Sequence, residues 1–296
     1  MRLAHLILAH KGPAQLERLL TALDHPGVDC YIHLDQKTDI RPFLHLGKRE
    51  RVFFLKNRIK VFWAKYSMVQ AVLNGLSEIL GRGQYAYINV MSGQDFPLKP
   101  ADQVYEYLVN HRGMEFITCI KETDGDPWWP DAIRHVWRYN LENWRIPGKY
   151  RIEGLANWLV SRNLLPKRRF PLPNYVVAGR SQWFTITSGA ATYLLDFLKN
   201  NPSVVRFFKY VWGADEFVFA TVLYNSTFGE RTAENLQFID WSGGKANPKM
   251  LGGADFDAMI ASGKLFARKF DLEADPEIIT RLEGHIRVSR EVSPNK

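Results

Sequence analysis

Cysteine is almost missing: the 296 residues contain only Cys30 and Cys119. Each sits in an apolar, strand-like run, DCYIHL and FITCI. Two isolated thiols make neither a disulfide framework nor a zinc site, which needs clustered ligands. They read as buried free thiols in a protein that needs no oxidising compartment. Long apolar runs are missing too. The opening stretch, MRLAHLILAHKG, is far too short to span a bilayer and has no small-residue cleavage site. No other stretch reaches spanning length, so a cytoplasmic protein is expected, with peripheral contact at an inner membrane face left open. There is no Walker-type loop, no GxGxxG after the first strand, no internal repeat and no low-complexity tract. The histidines are scattered, and His5 and His10 straddle one strand and read as structural.

What is present is an ordinary globular composition, 46% hydrophobic and 24% charged. The length suits one large α/β domain or two small ones. Aromatics reach 13%, with nine Trp and twelve Tyr, which suits sugar faces and a large core equally. Lys plus Arg number 39 against 31 Asp plus Glu, a net charge of +8. Such a surplus favours anionic partners (phosphates, nucleic acid, an anionic membrane face) or is simply a solvated basic surface. The basic residues are dispersed and no nucleic-acid motif appears, so no nucleic-acid partner is expected.

Apolar periodicity predicts strands near residues 3–9, 30–34, 51–55, 86–91 and 115–120. Helical spacing falls between them, one helix carrying Ser67 as its N-cap. Strand and helix alternate through residues 1–120, the pattern of a mostly parallel sheet flanked by helices. Ligands of such sheets bind at the carboxyl ends of strands, here Ala9-His10-Lys11, Asp35 and Ser92-Gly93-Gln94-Asp95. Residues 121–180 are rich in Trp, Arg and Pro and read as an inserted region shaping an acceptor cleft. Regular structure resumes with a strand at 183–187, helices at 188–199 and 214–224, a strand at 236–241 and a terminal helix from 273. One domain over residues 1–296 is expected, in three parts: 1–120, the insertion at 121–180, and 181–296.

Three motifs bear on chemistry. In WGADEFVFATVLYN, Asp215 and Glu216 open an apolar helix. A first-turn carboxylate sees positive backbone dipoles that favour its ionised form, as a general base requires. The same pair also suits an ordinary capped helix start, with Asp215 as N-cap. In SGGKANPKMLGG and LFARKFD, the cations Lys245, Lys249, Arg268 and Lys269 lie beside glycine-rich turns. Backbone amides and mobile ammonium groups of this kind hold a diphosphate, or else form a plain basic surface. Asp124-Gly125-Asp126 has the spacing of a metal box, but it lies beyond the fifth strand in a Pro-Trp-rich loop and reads as a decoy.

Taken in order, HLILAHKGPAQLERLLTAL, YIHLDQKT, WAKYSMVQAVLNGL, YINVMSGQDFPLKP, GRSQWFTIT, ADEFVFATVL, FIDWSGG and LFARKFD resemble the core-2/I-branching β-1,6-N-acetylglucosaminyltransferases, grouped with the peptide O-xylosyltransferases. The likeness runs over about residues 3–271 and is weakest in 121–180. It implies a GT-A-like, Rossmann-type α/β fold and an inverting transfer from a UDP-sugar with no metal or other cofactor. It places the base on Glu216 and uridine contacts at Asp35 and Ser92. Diphosphate contacts fall on Lys269 and on Lys249, with Lys245 in reserve and Arg268 alongside. Trp241, Arg138 and Asp215 fall on the acceptor side. Animal members carry many cysteines and a membrane anchor. This chain has neither, which implies a bacterial cytosolic setting. The expected donor is UDP-N-acetylglucosamine, with UDP-xylose as alternative, and the expected acceptor is a saccharide or lipid-linked glycan. A glycan- or nucleic-acid-binding protein without turnover is the non-enzymatic alternative.

Overall fold

The computed structural model describes residues 1–141, 146–243 and 247–292. The first half runs β1 (Leu3–Ala9), α1 (Pro13–Ala22), β2 (Val28–Leu34), β3 (Val52–Phe54), α2 (Tyr66–Arg82) and β4 (Tyr87–Ser92). It continues through β5 (Asp95–Pro97), α3 (Ala101–Asn110), β6 (Glu115–Phe116) and β7 (Cys119–Ile120). Then come α4 (Trp129–Trp137), α5 (Lys149–Ser161), β8 (Gly179–Arg180), β9 (Phe184–Thr187), α6 (Ser188–Asn200) and α7 (Pro202–Phe208). The last part holds α8 (Val218–Tyr224), β10 (Thr232–Ala233), β11 (Gln237–Ile239), α9 (Phe256–Ala261), β12 (Phe266–Arg268) and α10 (Pro276–Val292).

The described residues form a seven-stranded sheet of order β10-β6-β9-β4-β1-β2-β3. All its pairings are parallel except those of β9, which runs against both β4 and β6. This is the expected α/β class. Both faces are covered, which is why the strands read as continuous apolar runs. Strand alternation sorts the side chains: Ala4, Leu6, Ile88 and Val90 join the core under α2, α6 and α8. Leu3, Ile7, Tyr87 and Met91 join the opposite core with α1, α3 and α10.

The chain passes from β1 outward to β2 and β3, then returns to the other side of β1 as β4. The order therefore reverses between β1 and β4, where the two strand ends part and leave a crevice. A second, three-stranded sheet, β11-β12-β5, closes over that end. Its antiparallel register sets Arg268 opposite Asp95.

Three local expectations are corrected. The fifth strand is two short ones in different sheets, because the amide of Ile117 bonds back to the carbonyl of Glu115 and turns the chain. Ser67 lies inside α2, whose N-cap is Lys65; the Ser67 hydroxyl instead accepts from the Phe62 amide. The helix expected over 214–224 begins as a separate tight turn, described below. Both thiols are free, Cys30 buried and Cys119 partly so. Burial pushes each up to about 12, so neither is a ready nucleophile.

Candidate active site

The parallel strand ends meet in one place. The Asp35 amide donates to the Ala9 carbonyl and the Gly93 amide to the Leu8 carbonyl, so the ends of β1, β2 and β4 are tied together. Asp35 is buried, and its carboxylate accepts from the amides of Lys37 and Val61 at 2.9 and 3.4 Å. Ser92 is buried as well; its amide donates to Asp95 and its hydroxyl accepts from the Gln94 amide. His10 stands at the end of β1. Partial enclosure, then Lys11 and Lys269, hold its proton affinity below the ordinary histidine value. From sequence His10 reads as structural, yet it belongs with the strand-end charges Lys11, Asp35, Lys37 and Lys269. Its position immediately after the last core residue of β1 is the available signal.

Asp215 and Glu216 lie in a single 3-10 turn, Ala214–Glu216, with Glu216 and Phe217 donating back to Gly213 and Ala214. Phe217, at φ −116°, breaks that turn before α8 begins. Gly213 leads into it at φ +68°, a region that L side chains rarely adopt. Its amide donates to Ala64 at 2.9 Å, tying the turn to the WAKY stretch. Asp215 is therefore not an N-cap: it is buried inside the turn and makes no capping bond.

The electrostatics also reverse the expectation from helix dipoles. Burial pushes the Glu216 carboxyl up to about 8, neighbouring Asp215 adds to the rise, and Arg180 opposes it. Burial likewise raises Asp215 to about 6. A 3-10 turn of three residues offers little dipole, and removal from water dominates.

Arg180 comes from β8, which presses on the turn. A Cβ on Gly179 would stand 2.6 Å from the Glu216 carbonyl oxygen, so only glycine fits there. Arg180 donates to Asp126 at 2.9 Å. Asp126 also accepts from the Trp128 amide, and Asp124 from the amide of Lys121. Both aspartates of the decoy box are thus engaged by their own neighbours. Among the described residues, no group of three or more His, Cys, Asp or Glu is arranged to hold a metal.

Aromatic rings surround the turn at Ala214–Glu216. Trp212 meets Trp63 edge-on at 5.2 Å and His135 of α4 at 4.4 Å, while Trp128 stacks on Phe217 at 5.4 Å. Flat apolar walls beside a carboxyl are what a sugar face needs. Trp63 and Trp212 open the WAKYSMVQ and WGADEF stretches, but the sequence does not show that the two rings meet.

Arg268 is buried with Asp95 on one side, at 3.6 Å, and the Asp215 carboxyl on the other; its guanidinium lies over Trp183 at 4.1 Å. Its positive charge acts on carboxylates of both the SGQD loop and the turn at Ala214–Glu216. Lys269, next in the chain, is partly exposed, and burial, Arg268 and Lys11 hold its amine below the ordinary lysine value. Lys249 and Lys269 line one cavity of about 420 Å³ with Gly243, Asn247, Pro248 and Met250. They differ in state: Lys249 lies 2.6 Å from Asp255 and 3.7 Å from Asp240. Lys245 lies outside the described residues. Trp241, 42% exposed, adjoins Asp240 at the same end. Arg138 lies elsewhere, lining a groove of about 840 Å³ between α4, α5 and the segment 167–175.

The structure thus gathers two clusters, Glu216–Asp215–Arg268–Asp95 and Lys249–Lys269, beside the strand ends that carry Asp35 and Ser92. Comparison with known proteins bears on the family of the chain. The family described as Core-2/I-Branching enzyme matches residues 3–261, and the chain belongs to that family. It is the class of glycosyltransferase to which the ordered motifs pointed. Xylosyltransferase 1 of Rattus norvegicus is 23% identical over 97% of this chain and 35% of its own length. Xylosyltransferase 2 of Homo sapiens is 24% identical over 97% of this chain and 34% of its own. The chain therefore spans about a third of the length of these relatives. Among solved structures, apo mouse xyloside xylosyltransferase 1 covers 90% of this chain and 97% of that chain, with 9% identity and a TM-score of 0.40.

Proposed function

We propose that the chain is an inverting glycosyltransferase that moves a sugar from a UDP-sugar to a saccharide hydroxyl without a metal. The observation that carries this is Glu216 held in a glycine-flanked turn, walled by tryptophans, beside a crevice whose other end gathers lysines. Uridine lies against Asp35 and Ser92 and the diphosphate against Lys269 and Lys249. The acceptor oxygen sits between Glu216 and the anomeric carbon. Glu216 accepts the hydroxyl proton as oxygen forms its bond to the anomeric carbon. The bond from that carbon to the diphosphate oxygen breaks on the opposite face, which inverts the configuration. Both electrons of the breaking bond leave on UDP, where the fixed lysine charges meet them without reorganisation. Asp215, Arg268 and Asp95 hold the turn against the nucleotide loop.

UDP-N-acetylglucosamine is the first donor proposed, from the branching-enzyme motifs. UDP-xylose is the second, favoured by the names of the curated relatives. The acceptor is a bacterial surface saccharide or lipid-linked glycan, approached from the α4–α5 groove that Arg138 lines, while Trp241 stands at the lysine end. No described helix is long and apolar enough to cross a membrane.

The test is UDP release from a panel of UDP-sugars in EDTA. Turnover unchanged by chelation is expected, and the donor that gives it is identified at once. Turnover only with added Mg²⁺ or Mn²⁺ would sink the metal-free reading and turn attention to Asp124 and Asp126.

A further inference from the structure

The helix α5 is unusual in that none of its thirteen residues is buried. An isolated helix of that length is marginal in water, and most helices gain their stability by burying one face. At about 100° per residue, Ile152, Leu155, Trp158 and Leu159 share one side. The first three are 48%, 58% and 50% exposed. The opposite side is committed to the protein: Glu153 accepts from the Leu141 amide, Asn157 bonds the backbone of Tyr139, and Val160 lines the groove against α4. The apolar side therefore points away from the body. Leu164 and Leu165 follow it in the chain, 66% and 38% exposed.

Charge accompanies this surface. Residues 146–173 carry six basic side chains and one acid, Glu153; Arg168 turns inward onto the carbonyls of Val136, Arg138, Tyr210 and Phe207, and the other five are Lys149, Arg151, Arg162, Lys167 and Arg169. Arg162 lies over Trp158 at 5.6 Å, and Lys149 over Tyr150 at 4.6 Å. Tryptophan, leucine and arginine interleaved on one open face is the composition of the membrane–water boundary, where apolar bodies enter the acyl region and cations meet headgroups.

We propose that α5 with the following segment 162–169 is a peripheral membrane-docking surface for anionic lipid headgroups. Charge decides the occupant. A second copy laid on the same face about a twofold axis would set this basic cluster against itself, whereas an anionic bilayer complements it and takes up the apolar side chains as well. The surface adjoins the far wall of the α4–α5 groove, and His135 on α4 reaches Trp212 at the base turn. Docked this way, the protein holds its acceptor side at the lipid. The inference does not depend on which sugar is transferred, or on transfer at all.

The experiment is sedimentation of the full chain with phosphatidylcholine vesicles, with and without phosphatidylglycerol. Binding is expected to the anionic vesicles and to fall steeply with salt. Leu155→Glu with Trp158→Glu is expected to lower partitioning by about tenfold or more while Tm and UDP binding stay as in wild type. Arg151→Ser with Lys167→Ser, which leaves the apolar side chains in place, is expected to lower anionic-vesicle binding alone. Wild-type protein that ignores anionic vesicles, or glutamate variants that bind them equally, would overturn the proposal. So would a solution dimer that the glutamate variants abolish, since a second copy would then be the occupant.

Discussion

Glu216→Gln is expected to lower kcat by about 10²- to 10⁴-fold, the range that a positioned general base supplies. Glutamine keeps the shape of the side chain but accepts no proton from the acceptor hydroxyl. Two further measurements separate loss of the base from damage to the turn. Wild-type kcat/KM is expected to rise about tenfold per pH unit on the acid side and to level near pH 8, because the carboxyl in the free protein is raised to about 8 and must be ionised to act. Stability should move the other way. A carboxyl whose folded value lies above its ordinary 4.5 favours folding in its protonated form. That contribution is fully present below the ordinary value and is lost as pH rises through about 8. The substituted carboxamide does not titrate, so the Tm of the variant should gain on wild type steadily as pH rises from the ordinary carboxyl value to about 8. Near-wild-type turnover of Glu216→Gln would end the base assignment. A variant Tm that fell below wild type at about pH 8 would show that the turn itself had been disturbed.

Lys269→Ala comes next in size, with an expected loss of about 10²- to 10³-fold in kcat, the usual cost of removing one preorganised donor from a developing anion. Lys249→Ala should cost less, because Asp255 and Asp240 already hold its ammonium group. The comparison is read from kcat at saturating donor, with UDP affinity measured separately. Charge that grows only as the diphosphate departs should appear in kcat far more than in UDP binding. Equal losses for the two lysines would mean that Lys249 exchanges its carboxylate partners for the diphosphate when donor binds. No loss for Lys269→Ala would remove the diphosphate assignment altogether.

Much of the fold can be read from the sequence, and the reason is physical. Strands β1, β2 and β4 are buried on both faces, so each is a mostly apolar run broken only by buried polar residues (His5, Asp29, His33 and Asn89), and the runs end at or just before His10, Asp35 and Ser92. The tight turn at Ala214–Glu216 is not legible. The apolar residues after it run on as one helical stripe, and the break at Phe217 is a backbone event with no compositional mark. The raised Glu216 carboxyl is hidden for the same reason, since burial comes from β8 and from Trp128, far along the chain. Arg268 reads as a diphosphate contact from its place beside Lys269. Asp95 reaches it through the pairing of β12 with β5, and Asp215 comes from the separate turn at Ala214–Glu216, so neither neighbour is visible from the sequence around Arg268. Residues 121–180 show little periodicity because α5 has no buried face, so the pattern that announces most helices is absent.

Gln15 on α1 bears on how the two ends of the cleft unfold. Its carboxamide nitrogen donates to the carbonyls of Gly93 and Phe270, and its oxygen accepts from the Leu272 amide. One buried side chain thereby locks the nucleotide loop, the lysine-bearing strand and the first helix into a single cooperative unit. The bonds of α5 described above, from Glu153 to Leu141 and from Asn157 to Tyr139, run to the segment just before the helix. Native-state hydrogen exchange should therefore find the Leu272 amide opening only with global unfolding, while amides of α5 exchange through local fluctuations of far lower free energy. The cleft would then be built like a vice with one fixed jaw. If the proposed function holds, the lysine end would keep its shape through each turnover, and whatever yielding an acceptor requires would be confined to the α5 side.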